Sequence, residues 1–83
     1  MGGVKPCVFG FRLRYVLNRR KIRRRDFAAA VQRSEKTVEK WKQGYQIPTA
    51  ATLEKIAAIL RVSVDFLLGR TQEMEAQYGT EKP

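Results

Sequence analysis

Two helical patterns stand almost back to back in this chain of 83 residues, and the gap between them limits what the chain can become. The first pattern begins at about Arg24 and carries Phe27, Ala28 and Val31 on one face. The second is the stretch SEKTVEKWKQG, from Ser34 to Gly44. Only Gln32 and Arg33 join them. Two helices linked so tightly must cross at a steep angle, which is a helix-turn-helix unit. Ala28, Ala29 and Ala30 favour that crossing, because small side chains let the second helix approach closely. Ser34 has the chemistry of an N-cap, since its hydroxyl can accept an otherwise unpaired N–H of the first turn. Gly44 is a stop, since glycine enters the left-handed conformation at little cost. Val38 and Trp41 lie three apart and share a face, which assigns both to the core and not to a stacking role. Glu35, Lys36, Glu39, Lys40 and Gln43 cover the remaining faces.

The flanking chain supplies three more helices. Leu13, Val16 and Leu17 repeat at i, i+3, i+4 and predict a helix over about Phe11 to Arg20, with Ile22 plugging back into the core. Thr49 caps a helix over Ala50 to Leu60, whose apolar face is Leu53, Ile56, Ala57 and Leu60. Ser63 caps a last short helix, Val64 to Leu68, with Asp65 in its first turn and Gly69 at its end. Gly2, Gly3 and Pro6 interrupt regular structure and mark residues 1–10 as an arm, and Val8, Phe9 and the adjoining Phe11 pack on the domain. Residues 70–83 form a polar tail with Met74 and Tyr78 four apart. The expectation is an all-α chain: a compact five-helix bundle over residues 11–69, between an arm and a tail.

Charge then narrows the partner. The net charge is +9, and eight of the seventeen Lys and Arg residues lie between Arg12 and Arg25. Concentrated positive charge points to a polyanion: DNA, RNA or an anionic membrane surface. Arg23, Arg24 and Arg25 crowd a helix N-terminus, where each cation is unfavourable by about 0.3–1 kcal/mol at low salt. A docked phosphate would offset this, and so would arginines splayed into water. The single cysteine, Cys7, rules out an intrachain disulfide, and with no histidine the usual four-ligand zinc site is excluded. Without histidine, a glycine-rich phosphate loop or a base beside Cys7, no enzyme is indicated, and no cofactor. Apolar runs fall far short of the roughly 20 residues of a membrane span, and the N-terminus lacks the apolar run of a secretory signal. The chain reads as cytoplasmic.

The segment IRRRDFAAAVQRSEKTVEKWKQGYQIPTAATLEKIAAILRVSVDFLLG resembles the phage-repressor and Cro type (XRE-like) of helix-turn-helix domain, from about Phe11 to Gly69. Phe27, Ala28, Val31, Ser34, Val38, Trp41, the Gly44–Pro48 loop and the VSVDFLLG ending match in order and spacing. The resemblance implies a lambda-repressor-like bundle whose 34–43 helix lies in the DNA major groove. It implies base contacts from Ser34, Glu35, Lys36 and Lys40, with Glu39 nearby. It implies backbone contacts from Arg14, Arg23, Arg24, Thr37, Gln43 and Tyr45. Lysine donates to guanine and glutamate accepts from cytosine, so G·C pairs are expected in the half-site. The implied role is a sequence-specific regulator of transcription, a repressor, binding double-stranded DNA as a homodimer through Val64, Leu68, Met74 and Tyr78. Three departures stand out: Arg23 and Arg24 replace a Thr/Ser–Gln pair, Gln32 replaces the turn glycine, and Leu17 and Lys42 occupy positions that often form an ion pair. Two other functions compete. One is a protein-interaction or antitoxin-type module that keeps the fold. The other is an RNA or single-strand binder, which needs exposed aromatics such as Tyr15 and Tyr45.

Overall fold

Pro6 starts a helix instead of preventing one. In the computed structural model, which describes residues 5–74, α1 runs from Pro6 to Arg20 with the proline in its first turn. Proline there lacks only an N–H that would have been unpaired, and its φ is already helical. Helix therefore begins five residues before the expected Phe11, and the second half of the expected arm, with Cys7, belongs to α1. Phe9 now extends the stripe of Leu13, Val16 and Leu17, and it is completely buried. Phe11 does not pack down as expected; it is 58% exposed.

The remaining helices are α2 (Arg24–Val31), α3 (Glu35–Lys42), α4 (Ala50–Leu60) and α5 (Val64–Leu67). Three begin at the expected caps. Ser34 accepts from the N–H of Thr37, Thr49 from Thr52 and Ser63 from Phe66, at 2.9–3.3 Å. Each such cap contributes about 1 kcal/mol. Among the described residues, each helix is followed within two positions by a left-handed residue: Lys21, Gln32, Gly44, Arg61 and Gly69. After each, the next N–H returns to a carbonyl five residues back, as from Ile22 to Leu17 at 2.9 Å and from Val62 to Ala57 at 3.0 Å. That closure satisfies carbonyls the helix end leaves open. Gln32, in the turn between α2 and α3, holds φ at 60°. A non-glycine residue there costs about 1 kcal/mol or more, which the closed turn must offset.

The core draws on every helix, with Leu13, Phe27, Val38, Trp41, Ile56 and Leu67 all buried. Three arginines of α1 tie it to the ends of other helices. Arg12 donates to the carbonyls of Phe66 and Thr71, at 3.3 and 3.0 Å, and stacks over the Phe66 ring at 4.2 Å. Arg14 donates to the Lys42 carbonyl. Arg20 donates to Leu60 and Arg61, at 2.7 and 3.2 Å. Cations belong at helix C-termini, where open carbonyls and the dipole are both negative. Residues 70–74 fold back on the domain: the Ser63 N–H donates to the Met74 carbonyl at 3.1 Å, and Met74 packs against the core. Val64 and Leu68 are half-buried beside it. Tyr78 lies outside the described residues.

α1 meets the C-terminal end of α3 at Gly10. A Cβ at this position would lie 2.7 Å from the carbonyl oxygens of both Trp41 and Lys42. Glycine inside a helix ordinarily costs about 0.5–1 kcal/mol relative to alanine. Overpacking costs more, about 1–3 kcal/mol, and here both opposing atoms are backbone. Gly10→Ala is therefore expected to destabilise the domain by about 1–2 kcal/mol, read from denaturant midpoints. A more stable variant would mean that α1 and α3 can move apart freely.

Candidate nucleic-acid interface

Buried Val38 and Trp41 pin α3 to the domain and fix which of its edges faces outward. Glu35, Lys36, Lys40 and Gln43 are exposed, while Thr37, Glu39 and Lys42 are half-buried. The polar groups of this edge differ sharply in how far they are already engaged.

Ser34 is engaged locally. Its hydroxyl accepts from the Thr37 N–H at 3.1 Å and donates to Thr37 Oγ1 at 3.0 Å. Glu39 is engaged through both oxygens: Oε1 accepts from Arg24 Nη1 and Oε2 from Gln43 Nε2, each at 2.6 Å. Lys42 Nζ stands 3.9 Å from the same Oε1. The hydrogen bonds from Gln43 and Arg24 hold the Glu39 carboxyl below the usual carboxylate range, and the bond to Glu39 raises Arg24 in turn. Glu35 Oε1 lies 3.4 Å from Arg24 Nε. Arg24 thus sits between two carboxylates from α3.

This answers the crowded start of α2 in a way neither expected reading anticipated. Arg24 is paired within the domain while its side chain remains 46% exposed. Glu35 and Glu39, four apart on the edge of α3 that faces α2, supply the negative charge that its position requires. Their spacing was the signal available in the sequence, but it pointed to α2 only once the crossing geometry was known.

The other expected contacts divide similarly. Arg14 is turned to the Lys42 carbonyl, and the Gln43 amide to Glu39. Thr37 Oγ1 accepts from Ser34. Tyr45 follows Gly44 and is 75% exposed. Arg23, at the N-cap of α2, and Arg25 are exposed, and neither forms an ion pair or side-chain hydrogen bond among the described residues. The same is true of Lys36 and Lys40, one helical turn apart. Leu17 is buried and Lys42 points to Glu39. Beside them a notch of about 110 Å³ is lined by Arg14, Leu17, Asn18, Ile22, Arg24 and Lys42.

Among the described residues, no helix is long and apolar enough to cross a membrane. A family model for the Cro/C1-type HTH DNA-binding domain matches residues 12–73. Neither the curated proteins nor the solved structures yield a significant match.

Proposed function

The chain belongs to the Cro/C1-type HTH DNA-binding domain family, and from that premise we propose that it is a sequence-specific binder of double-stranded DNA that represses transcription in the cytoplasm. The observation that carries this reading is the outer edge of α3, where Lys36 and Lys40 are exposed and unpaired beside the exposed arginines that open α2. A recognition helix enters the major groove with its N-terminal residues toward the base edges. Lys36 and Lys40 then reach bases, with Ser34 and Glu35 at the end of the helix that leads into the groove. Arg23, Thr37, Gln43 and Tyr45 face phosphates, which fix register without reading sequence. Arg14 and Arg24 stand behind them, at the Lys42 carbonyl and the Glu39 carboxylate, each with further guanidinium N–H groups for the backbone. A two-fold pair of chains, meeting through Val64, Leu68, Met74 and Tyr78, would suit a near-palindromic operator.

Selection from random duplexes, followed by binding isotherms at several salt concentrations, tests this. Lys36→Ala is expected to lose about 1–3 kcal/mol of discrimination at one base pair. Arg23→Ala is expected to weaken all sequences alike and to flatten the salt slope by about one unit. Identical behaviour of the two variants would defeat this division of roles. No affinity for any duplex at low salt would favour the protein-interaction module instead.

A further inference from the structure

We infer that Lys36 and Lys40 of α3 each read a guanine, so that each half-site presents guanine at both of these positions, while Glu39 is a positioning residue that holds Arg24 and Gln43. This rests on the DNA-binding reading above and extends it to the chemistry of the target.

The argument is one of occupancy. Cytosine N4 is read by a free carboxylate oxygen. Glu39 holds a bond of 2.6 Å on each of its oxygens, one to Arg24 and one to Gln43, and these keep its carboxylate turned toward its own neighbours. Glu35 pairs with the same arginine through Oε1 at 3.4 Å, and its side chain stays about half exposed. The Ser34 hydroxyl is used within the first turn of α3. Among the charged side chains of α3, the ones without a partner among the described residues are Lys36 and Lys40, whose ammonium groups each carry three donors and no acceptor. In the major groove guanine offers two adjacent acceptors, O6 and N7. Adenine sets a donor beside its N7, and thymine offers O4 alone. Guanine is therefore the base that two lysines select. Four residues rise about 6 Å along a helix, and bases are stacked about 3.4 Å apart. The two guanines thus lie one or two steps apart.

Glu39 has a second consequence. Its carboxylate, with that of Glu35, offsets the charge of Arg24 and keeps its guanidinium against α3. A free arginine at that point would attract any phosphate, whatever the sequence. The latch thereby suppresses binding to wrong sites.

The test begins with the full chain and a random duplex pool. Guanine N7 in the enriched site is then methylated with dimethyl sulfate, and interference is mapped. Methylation at two guanines per half-site, one or two steps apart, should weaken binding at least tenfold. Lys36→Ala should abolish sensitivity at one guanine and Lys40→Ala at the other. Glu39→Gln should raise affinity for random duplex and steepen the salt slope by about one unit, and this change should vanish in the Arg24→Gln background. A half-site without guanine, or an interference map unchanged in the lysine variants, overturns the inference while leaving DNA binding intact. So does a Glu39→Gln variant that relaxes discrimination at a single cytosine, because that is the mark of a base contact. Failure to enrich any duplex removes the DNA-binding reading and this inference together.

Discussion

Phe9→Ala is expected to cost the fold about 3–5 kcal/mol, as large as truncation of a core aromatic becomes. The side chain has no exposed surface, and it continues the buried stripe of α1 one turn before Leu13. A domain of this size is stable by only about 4–12 kcal/mol. The substitution therefore removes a large share of the total and lowers the melting temperature by well over ~10 °C. Trp41→Ala, which empties the facing side of the same core, belongs in the same range. Phe11→Ala is the control: two residues away but mostly exposed, it should change stability by no more than about 0.5 kcal/mol. Denaturant unfolding followed by circular dichroism separates the two. If Phe9→Ala and Phe11→Ala behaved alike, the Pro6–Gly10 segment would lie outside the core.

That comparison also marks where local signals stop. The start of α4 at Ala50 and its end at Leu60 are legible, because a threonine cap and a 3.6-residue apolar period are both local. The same holds for Ser34, Val38 and Trp41. The start of α1 is not legible in this way. Proline breaks a helix from within and opens one at its first position, and only the helix that follows tells the two apart. Gly10 compounds the ambiguity. Its reason is the backbone of Trp41 and Lys42, more than thirty residues away in the chain. The arginines are a third case. Their charge is visible, but their partners are not: no periodicity sends Arg12, Arg14 and Arg20 to the ends of α5, α3 and α4. For the same reason the pairing of Arg24 with Glu39 is not legible in the sequence.

Raising salt from 50 to 200 mM should lower the affinity of each chain for duplex DNA about a thousandfold, with a log–log slope near −5. The reasoning turns on which cations remain available. Eleven Lys and Arg residues lie between Arg12 and Lys40. Five have partners within the domain: Arg12, Arg14 and Arg20 on carbonyls, Arg24 on carboxylates, and Arg33 on Gln32 and Thr52. Six are left whose charge can displace counterions from the duplex: Arg19, Lys21, Arg23 and Arg25 along the phosphates and Lys36 and Lys40 in the groove, and of these only Arg19 has a neighbour to stack on, the Tyr15 ring. Each neutralised phosphate contributes about −0.9 to the slope. If all eleven cations were free to act, the slope would approach about −10 and the loss would exceed ~10⁵-fold. Isotherms at four or more salt concentrations, with the number of chains per duplex fixed by sedimentation of the complex, distinguish these cases. A slope per chain near −10 would mean that DNA pulls the arginines of α1 from the helix ends they cap. A slope near −5 would mean that the basic stretch is divided between holding the bundle together and holding the duplex.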